Sequence, residues 1–219
     1  EEGFPDEHHN LGHALLALGN LEEGWVEYGW RWKSKKFTKD LPEFSKPLWA
    51  GERLTDSVVF IWSEQGIGDQ ILFGGLIPEL EKLSKTCIVE TETRLVPLFA
   101  RSFPALKVVE KNEDDEPRLG DSNFDVHVPM GDLPRWLRPR LNSFKSKSPY
   151  LIADPTKIQQ SRSRYISEGK KLVGVSWASR PPKGIPLSFL MPVFLLPDVT
   201  FVNLQYGDHE KELEELRDC

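Results

Sequence analysis

Cysteine is nearly absent: Cys87 and Cys219 are the only two in 219 residues, too few for a disulfide framework or a thiolate metal cluster. Methionine is as scarce, with two, and the chain opens on Glu1 rather than Met, which reads as a fragment or a processed form. No run approaches the ~18 consecutive apolar residues of a membrane span, and no signal-peptide pattern opens the chain. A basic excess is missing too. Lysine and arginine total 28 against 34 aspartate and glutamate, a net charge of -6, the opposite of the basic footprint of nucleic-acid binders. A cytoplasmic protein without a nucleic-acid partner is the expectation. Small phosphate-bearing molecules stay admissible, because backbone amides and a few cations suffice to hold them. What remains is ordinary: 39% apolar and 28% charged residues, with length for one large domain or two small ones.

Residues 6 to 36, "DEHHNLGHALLALGNLEEGWVEYGWRWKSKK", predict two helices joined at Gly19-Asn20. Leu11, Ala14, Leu15 and Leu18 share one helical face, and Trp25, Tyr28 and Trp32 another. Gly19 suits the left-handed residue that ends a helix. The spacing of Leu11, Gly12, Leu15, Gly24 and Tyr28 resembles one tetratricopeptide repeat, and a lone repeat must cap a neighbour or continue. Pro42, Pro47 and Gly51 mark a linker over 37–56, with "PLWAGERL" suited to pin it to a surface. Strand-like runs follow at Val58–Trp62, Cys87–Glu90, Lys107–Glu110 and Asp125–Val128. Helical patterns at Asp69–Ser84 and Leu95–Arg101 separate the first three, and the acidic stretch "KNEDDEPRLGDSN" separates the last two. This alternation predicts a Rossmann-like parallel sheet covered on both faces. In the main helix, Leu72, Leu76, Leu80 and Leu83 form the expected sheet-facing stripe.

A polar helix and a second linker follow. "LVGVSW" and "TFVNLQ", with "LSFLMPVFLL" between them and "HEKELEELR" after, then repeat the α/β signal. These strands either extend the first sheet or open a second domain, and the second reading is preferred. The expected domains are 1–40 (helical hairpin), 41–165 (first α/β domain) and 166–219 (the beginning of a second, incomplete one).

The chemistry concentrates in "VVFIWSEQGIGDQILFGGLIPEL", 58 to 80, where a buried strand breaks into a polar turn before a helix. Such turns face the ligand crevice of an open parallel sheet. Gly66 and Gly68 let the backbone turn sharply and approach a ligand. Asp69 sits at the expected N-cap, and capping alone accounts for it as well as catalysis does. A cap needs neither Glu64 nor Gln65. With Gln70, these residues form a candidate substrate-binding set beside an acid able to deprotonate a hydroxyl. The dinucleotide fingerprint fits poorly. The third glycine position holds Ile71, and an aspartate directly after the second glycine would repel a pyrophosphate, although Glu90 lies where a ribose-binding acid is expected.

"WSEQGIGDQILF", "DVHVPMGDLP" and "VGVSWAS" together resemble tetratricopeptide-containing bacterial glycosyltransferase-like proteins, relatives of the heptosyltransferases of glycosyltransferase family 9. The helical repeat and "PLWAGERL" look like that family as well, so the resemblance covers nearly the whole chain. It implies a GT-B architecture of two Rossmann-like domains and no cofactor. A nucleotide-sugar donor would be held mainly by the second domain and an unidentified acceptor by the first. Asp69 takes the position of the proposed catalytic base, and inversion at the anomeric carbon is implied likewise. The family's later donor-binding segments have no counterpart before Cys219.

Other positions have two readings each. His127 faces the same crevice or is a satisfied core histidine. In "SWASRPPKG", Ser176, Trp177 and Ser179 contact a donor diphosphate with Arg180 or Lys183 offsetting its charge, or the segment is a plain surface loop. His9 and His13, four apart, lack both the intervening glutamate of a zinc protease and a third ligand, so a solvated helix face is expected. Trp25, Trp30 and Trp32 read as packing groups. The function expected is sugar transfer from a nucleotide sugar. The alternative is a non-catalytic module that recruits a protein partner through the helices, and an NAD-binding oxidoreductase is the third reading.

Overall fold

The helical segment folds as expected and stops sooner. α1 (Pro5–Ala17) carries Pro5 in its first turn with Asp6 and Glu7, where a fixed φ and negative charge suit a helix start. It ends in a Schellman closure: Gly19 N–H reaches Leu16 O, Asn20 N–H reaches Leu15 O, and Gly19 adopts φ +83°. α2 (Leu21–Tyr28) folds back against α1. The crossing is close because Gly12 lies on the backbone of Tyr28 and Gly24 on the side chain of Leu16. After Tyr28 the chain tightens into a 3-10 turn, Gly29–Lys33, instead of continuing as α-helix.

The computed structural model describes residues 3–37, 42–111, 123–144, 149–165, 169–179 and 183–217. Within it the chain clusters into two units, 1–152 and 153–219, so the contact boundary precedes the helix at 155–165 and the hairpin joins the first unit. The acidic stretch between the third and fourth strands lies almost wholly outside the described residues.

The first unit is α/β with a four-stranded, all-parallel, Rossmann-like sheet: β1 (Leu54–Trp62), β2 (Ser84–Thr91), β3 (Lys107–Glu110) and β4 (Val126–Pro129), in the order β3-β2-β1-β4. β1 starts earlier than the apolar run suggests, with an irregular register between Leu54 and Val58. One face carries Val59, Ile61, Val89 and Val128 under Leu76, Ile77, Leu80, Phe99 and Leu133. The other carries Phe60, Trp62 and Ile88, covered by Phe124, Trp32 and Phe44. The linker contributes directly: Leu48 bridges His127, Trp49 N–H donates to His127 O, and His127 N–H donates to Pro47 O. The linker thereby covers the outer edge of β4, satisfying backbone groups that an edge strand exposes.

The single helix expected over 69–84 is two, α3 (Ile67–Gly74) and α4 (Ile77–Leu83), with Pro78 in the first turn of the second. The break rotates the apolar stripe. Leu76 and Leu80 are buried as expected, but Leu72 is 69% exposed and Leu83 48%, while Ile77 is fully buried. Ser84, expected to end the helix, already begins β2. α5 (Val96–Ser102) and α6 (Leu133–Leu137) complete this unit's helices among the described residues.

The second unit contains α7 (Pro155–Tyr165), β5 (Lys171–Val175), α8 (Met191–Phe194), β6 (Val199–Asn203) and α9 (Glu210–Arg217). β5 and β6 pair in parallel as a separate sheet, so they do not extend the first one. No helix among the described residues is long and apolar enough to cross a membrane.

Candidate functional site

The 63–70 turn sits at the carboxyl end of β1, where Gly66 leaves the strand in extended conformation and caps α3. Asp69 is therefore the third residue of the helix, not its cap, and no side-chain capping bond is made. Its amide donates to Gly66 O. Among the described residues its carboxylate accepts no hydrogen bond, and the residue is half-buried. A side chain at Gly68 would meet nothing within 4 Å. The turn thus presents one acid beside open space, which is the geometry a base acting on a hydroxyl requires.

Its neighbours are committed to the fold. Gln70, 2% exposed, accepts from Thr91 Oγ1 (2.7 Å) and Glu92 N (3.1 Å) and donates to Gln65 O (3.0 Å), stitching the end of β1 to the end of β2. Gln65 Nε2 donates to the Tyr28 hydroxyl of α2 at 2.5 Å. Glu64 accepts from Arg31 Nη2 (2.8 and 3.1 Å) and from Gly131 N (3.0 Å). Glu64 and Gln70 are thereby tied into the fold, and Gln65 commits its side-chain N–H to Tyr28.

Arg31 is the residue that sequence reasoning missed. It is wholly buried between the rings of Tyr28 (4.3 Å) and Trp32 (4.2 Å), and it bonds Glu64 and Asp132 (2.6 Å), while Trp32 Nε1 donates to the second oxygen of Asp132 (3.1 Å). An Arg between tryptophans in "GWRWK" carries no spacing signal for burial. Asp132 had one: "MGD" follows β4 as "IGD" follows β1, so each strand end delivers a Gly-Asp to the same rim. Burial pushes the Glu64 carboxyl up to about 7; the Arg31 guanidinium pulls it down and the Asp132 charge pushes it further up.

The other candidates separate from the turn. His127 projects to the opposite face of β4 from Val126 and Val128. There its Nδ1 accepts from Trp62 Nε1 (3.1 Å) and its ring packs on Phe44 (4.6 Å), so it is a core histidine. Glu90 is 1% exposed and accepts from Ser63 N and Oγ (both 3.2 Å), which removes the acid that a ribose would need. His9 and His13 lie 4.6 Å apart beside Tyr28; His13 is exposed as expected, while His9 is half-buried against Phe37. No group of three metal-binding side chains occurs among the described residues. The Cys87 thiol is buried and pushed up to about 11 by that burial, which leaves it unreactive.

In the second unit, Ser176 Oγ, Trp177 N and Ala178 N converge on one oxygen, Gln205 Oε1, at 2.9, 3.0 and 2.9 Å. Trp177 Nε1 donates to Glu212. Ser179 and Lys183 are exposed, and Arg180 lies outside the described residues. The loop after β5 thus gathers donors around one acceptor oxygen, and that acceptor is internal.

The fold and the turn define a parallel α/β protein with a ligand-type rim and a helical hairpin fastened to it. Across 221 residues the chain is 33% identical to Protein FlbA of Caulobacter vibrioides, an alignment covering 91% of this chain and 37% of that protein. The chain therefore spans little more than a third of the relative's length. No protein-family model matches it, and no solved structure matches it either.

Proposed function

We propose that the chain is part of a glycosyltransferase-like protein of GT-B type, with a tetratricopeptide-like hairpin ahead of its acceptor-side domain. Asp69 carries this reading: among the described residues it is the acid of the rim turn without a hydrogen-bonding partner, beside the open space at Gly68. In the reaction Asp69 takes the proton of an acceptor hydroxyl as its oxygen attacks the anomeric carbon. The bond from that carbon to the diphosphate oxygen breaks, and the nucleoside diphosphate leaves. On the donor side the exposed Ser179 and Lys183 meet the diphosphate, on a loop that Ser176 and Trp177 hold in place through Gln205, and the reaction takes place in the cytoplasm. The close crossing at Gly12 and Gly24 supports a repeat-like hairpin.

The whole natural protein, incubated with a panel of nucleotide sugars, should release nucleoside diphosphate. Asp69→Asn should slow release about 100-fold or more, the range lost with a general base, with the melting temperature unchanged. Unchanged turnover in that variant removes the assignment. A partner-recruiting module is the second reading, favoured by the exposure of Phe4 (71%) and Leu18 (77%) around α1. Absence of any melting shift with UDP, GDP or ADP in the whole protein would favour it.

A further inference from the structure

Arg31, Glu64 and Asp132 come from three distant parts of the chain and meet with side-chain exposures of 0%, 5% and 14%. Fully ionised, the cluster holds one cation and two anions, an uncompensated negative charge out of water, which burial strongly disfavours. One proton on the carboxylate pair makes it neutral. The groups facing Glu64 bear this out from each packed element. Arg31 and Trp32 come from the 3-10 turn and Tyr28 from α2. Asp132 and the Gly131 amide come from the loop after β4. Asp69 in α3 and His9 in α1 lie within the same field, acting on Tyr28 and feeling Arg31 respectively. There is no slack in the assembly, because a Cβ at Gly131 would overlap Glu64 Oε1.

Glu64 also begins the turn that carries Asp69, and Gln65 beside it is tied to Tyr28 of the hairpin. We propose that Arg31, Glu64 and Asp132 form a proton-operated clamp: holding one proton it fastens the helical hairpin to the 64–70 turn, and losing that proton it releases both. The sign follows from burial. A carboxyl raised in the folded state contributes its full stability below its ordinary value and loses it as pH rises through the folded value. With Glu64 moved from 4.5 to about 7, the clamp weakens as pH rises from about 4.5 to about 7 and changes no further above that. This device goes beyond sugar transfer and stands whether or not Asp69 is a base, because it is read without substrate.

The test is amide hydrogen exchange on the 219-residue chain between about pH 4.5 and 8.5, corrected for intrinsic rates. Protection of amides 64–70 and of α2 should fall together between about pH 4.5 and 7, by up to about tenfold per pH unit, the limit for one linked proton, and level off above about pH 7. Glu64→Gln, permanently neutral, should abolish that fall. Asp132→Asn, which removes the competing charge, should make the fall smaller and level off at a lower pH. Flat protection in the unmodified chain, or the same fall in Glu64→Gln, overturns the clamp. Should Glu64→Gln not fold, the carbon-13 shift of the Glu64 carboxyl decides: a midpoint near 7 supports the clamp and one below 5.5 overturns it.

Discussion

Replacing Arg31 with Met keeps most of the side-chain volume between Tyr28 and Trp32 and removes only the charge and its donors. Two carboxylates then remain in a site where Glu64 is 5% and Asp132 14% exposed. Breaking a buried ion pair by deleting one partner costs about 3–5 kcal/mol. Each kcal/mol lowers the melting temperature of a unit of this size by roughly 2–4 °C, so a drop on the order of 10 °C is expected at pH 7. The deficit has a pH signature. Without the guanidinium the Glu64 carboxyl protonates more readily, so the loss should shrink at pH 5 and grow at pH 8. Adding Glu64→Leu to the Met variant removes one stranded charge and should recover about 1 kcal/mol or more, as coupled neighbours do. Circular-dichroism melts of the three proteins at pH 5, 7 and 8 measure all of this. A loss below about 1 kcal/mol at pH 7, the range of a surface pair, or equal losses at every pH, would refute the view that this cation neutralises a buried acidic pair.

Gln70→Ala strands the Thr91 hydroxyl, the Glu92 amide and the Gln65 carbonyl, at least one of them buried. Each unmet buried group costs about 1–3 kcal/mol, visible as a lower urea midpoint with an unchanged slope. Gly131→Ala forces a methyl group against Glu64 Oε1 and to 3.2 Å from Arg31 Nη2. Overpacking of this kind costs about 1–3 kcal/mol, whereas Gly29→Ala, whose nearest contact is 3.7 Å away, should stay close to the parent in the same urea titration.

Strand positions were legible because each run of β-branched and aromatic residues is bounded by breakers, and parallel pairing follows from helices placed between the strands. The break between α3 and α4 was harder to see. Leucines at 72, 76, 80 and 83 keep helical spacing straight through it, and the pattern records period without recording that Gly74, Gly75 and Pro78 reset the phase. At the rim, the Gly-x-Gly-Asp turn stood out by composition. Which of its polar residues faces open space did not, because Glu64, Gln65, Asp69 and Gln70 are equally polar on paper.

Local chemistry alone therefore set the α/β class, the Schellman end at Gly19 and the place of the rim turn, since propensity and turn geometry act between residues close along the chain. Only tertiary packing decided that Glu64 is locked to Arg31 and Asp132 while Asp69 is left open. Such pairings join residues 33 and 101 positions apart, and no local pattern encodes which distant charge will arrive to neutralise a buried one.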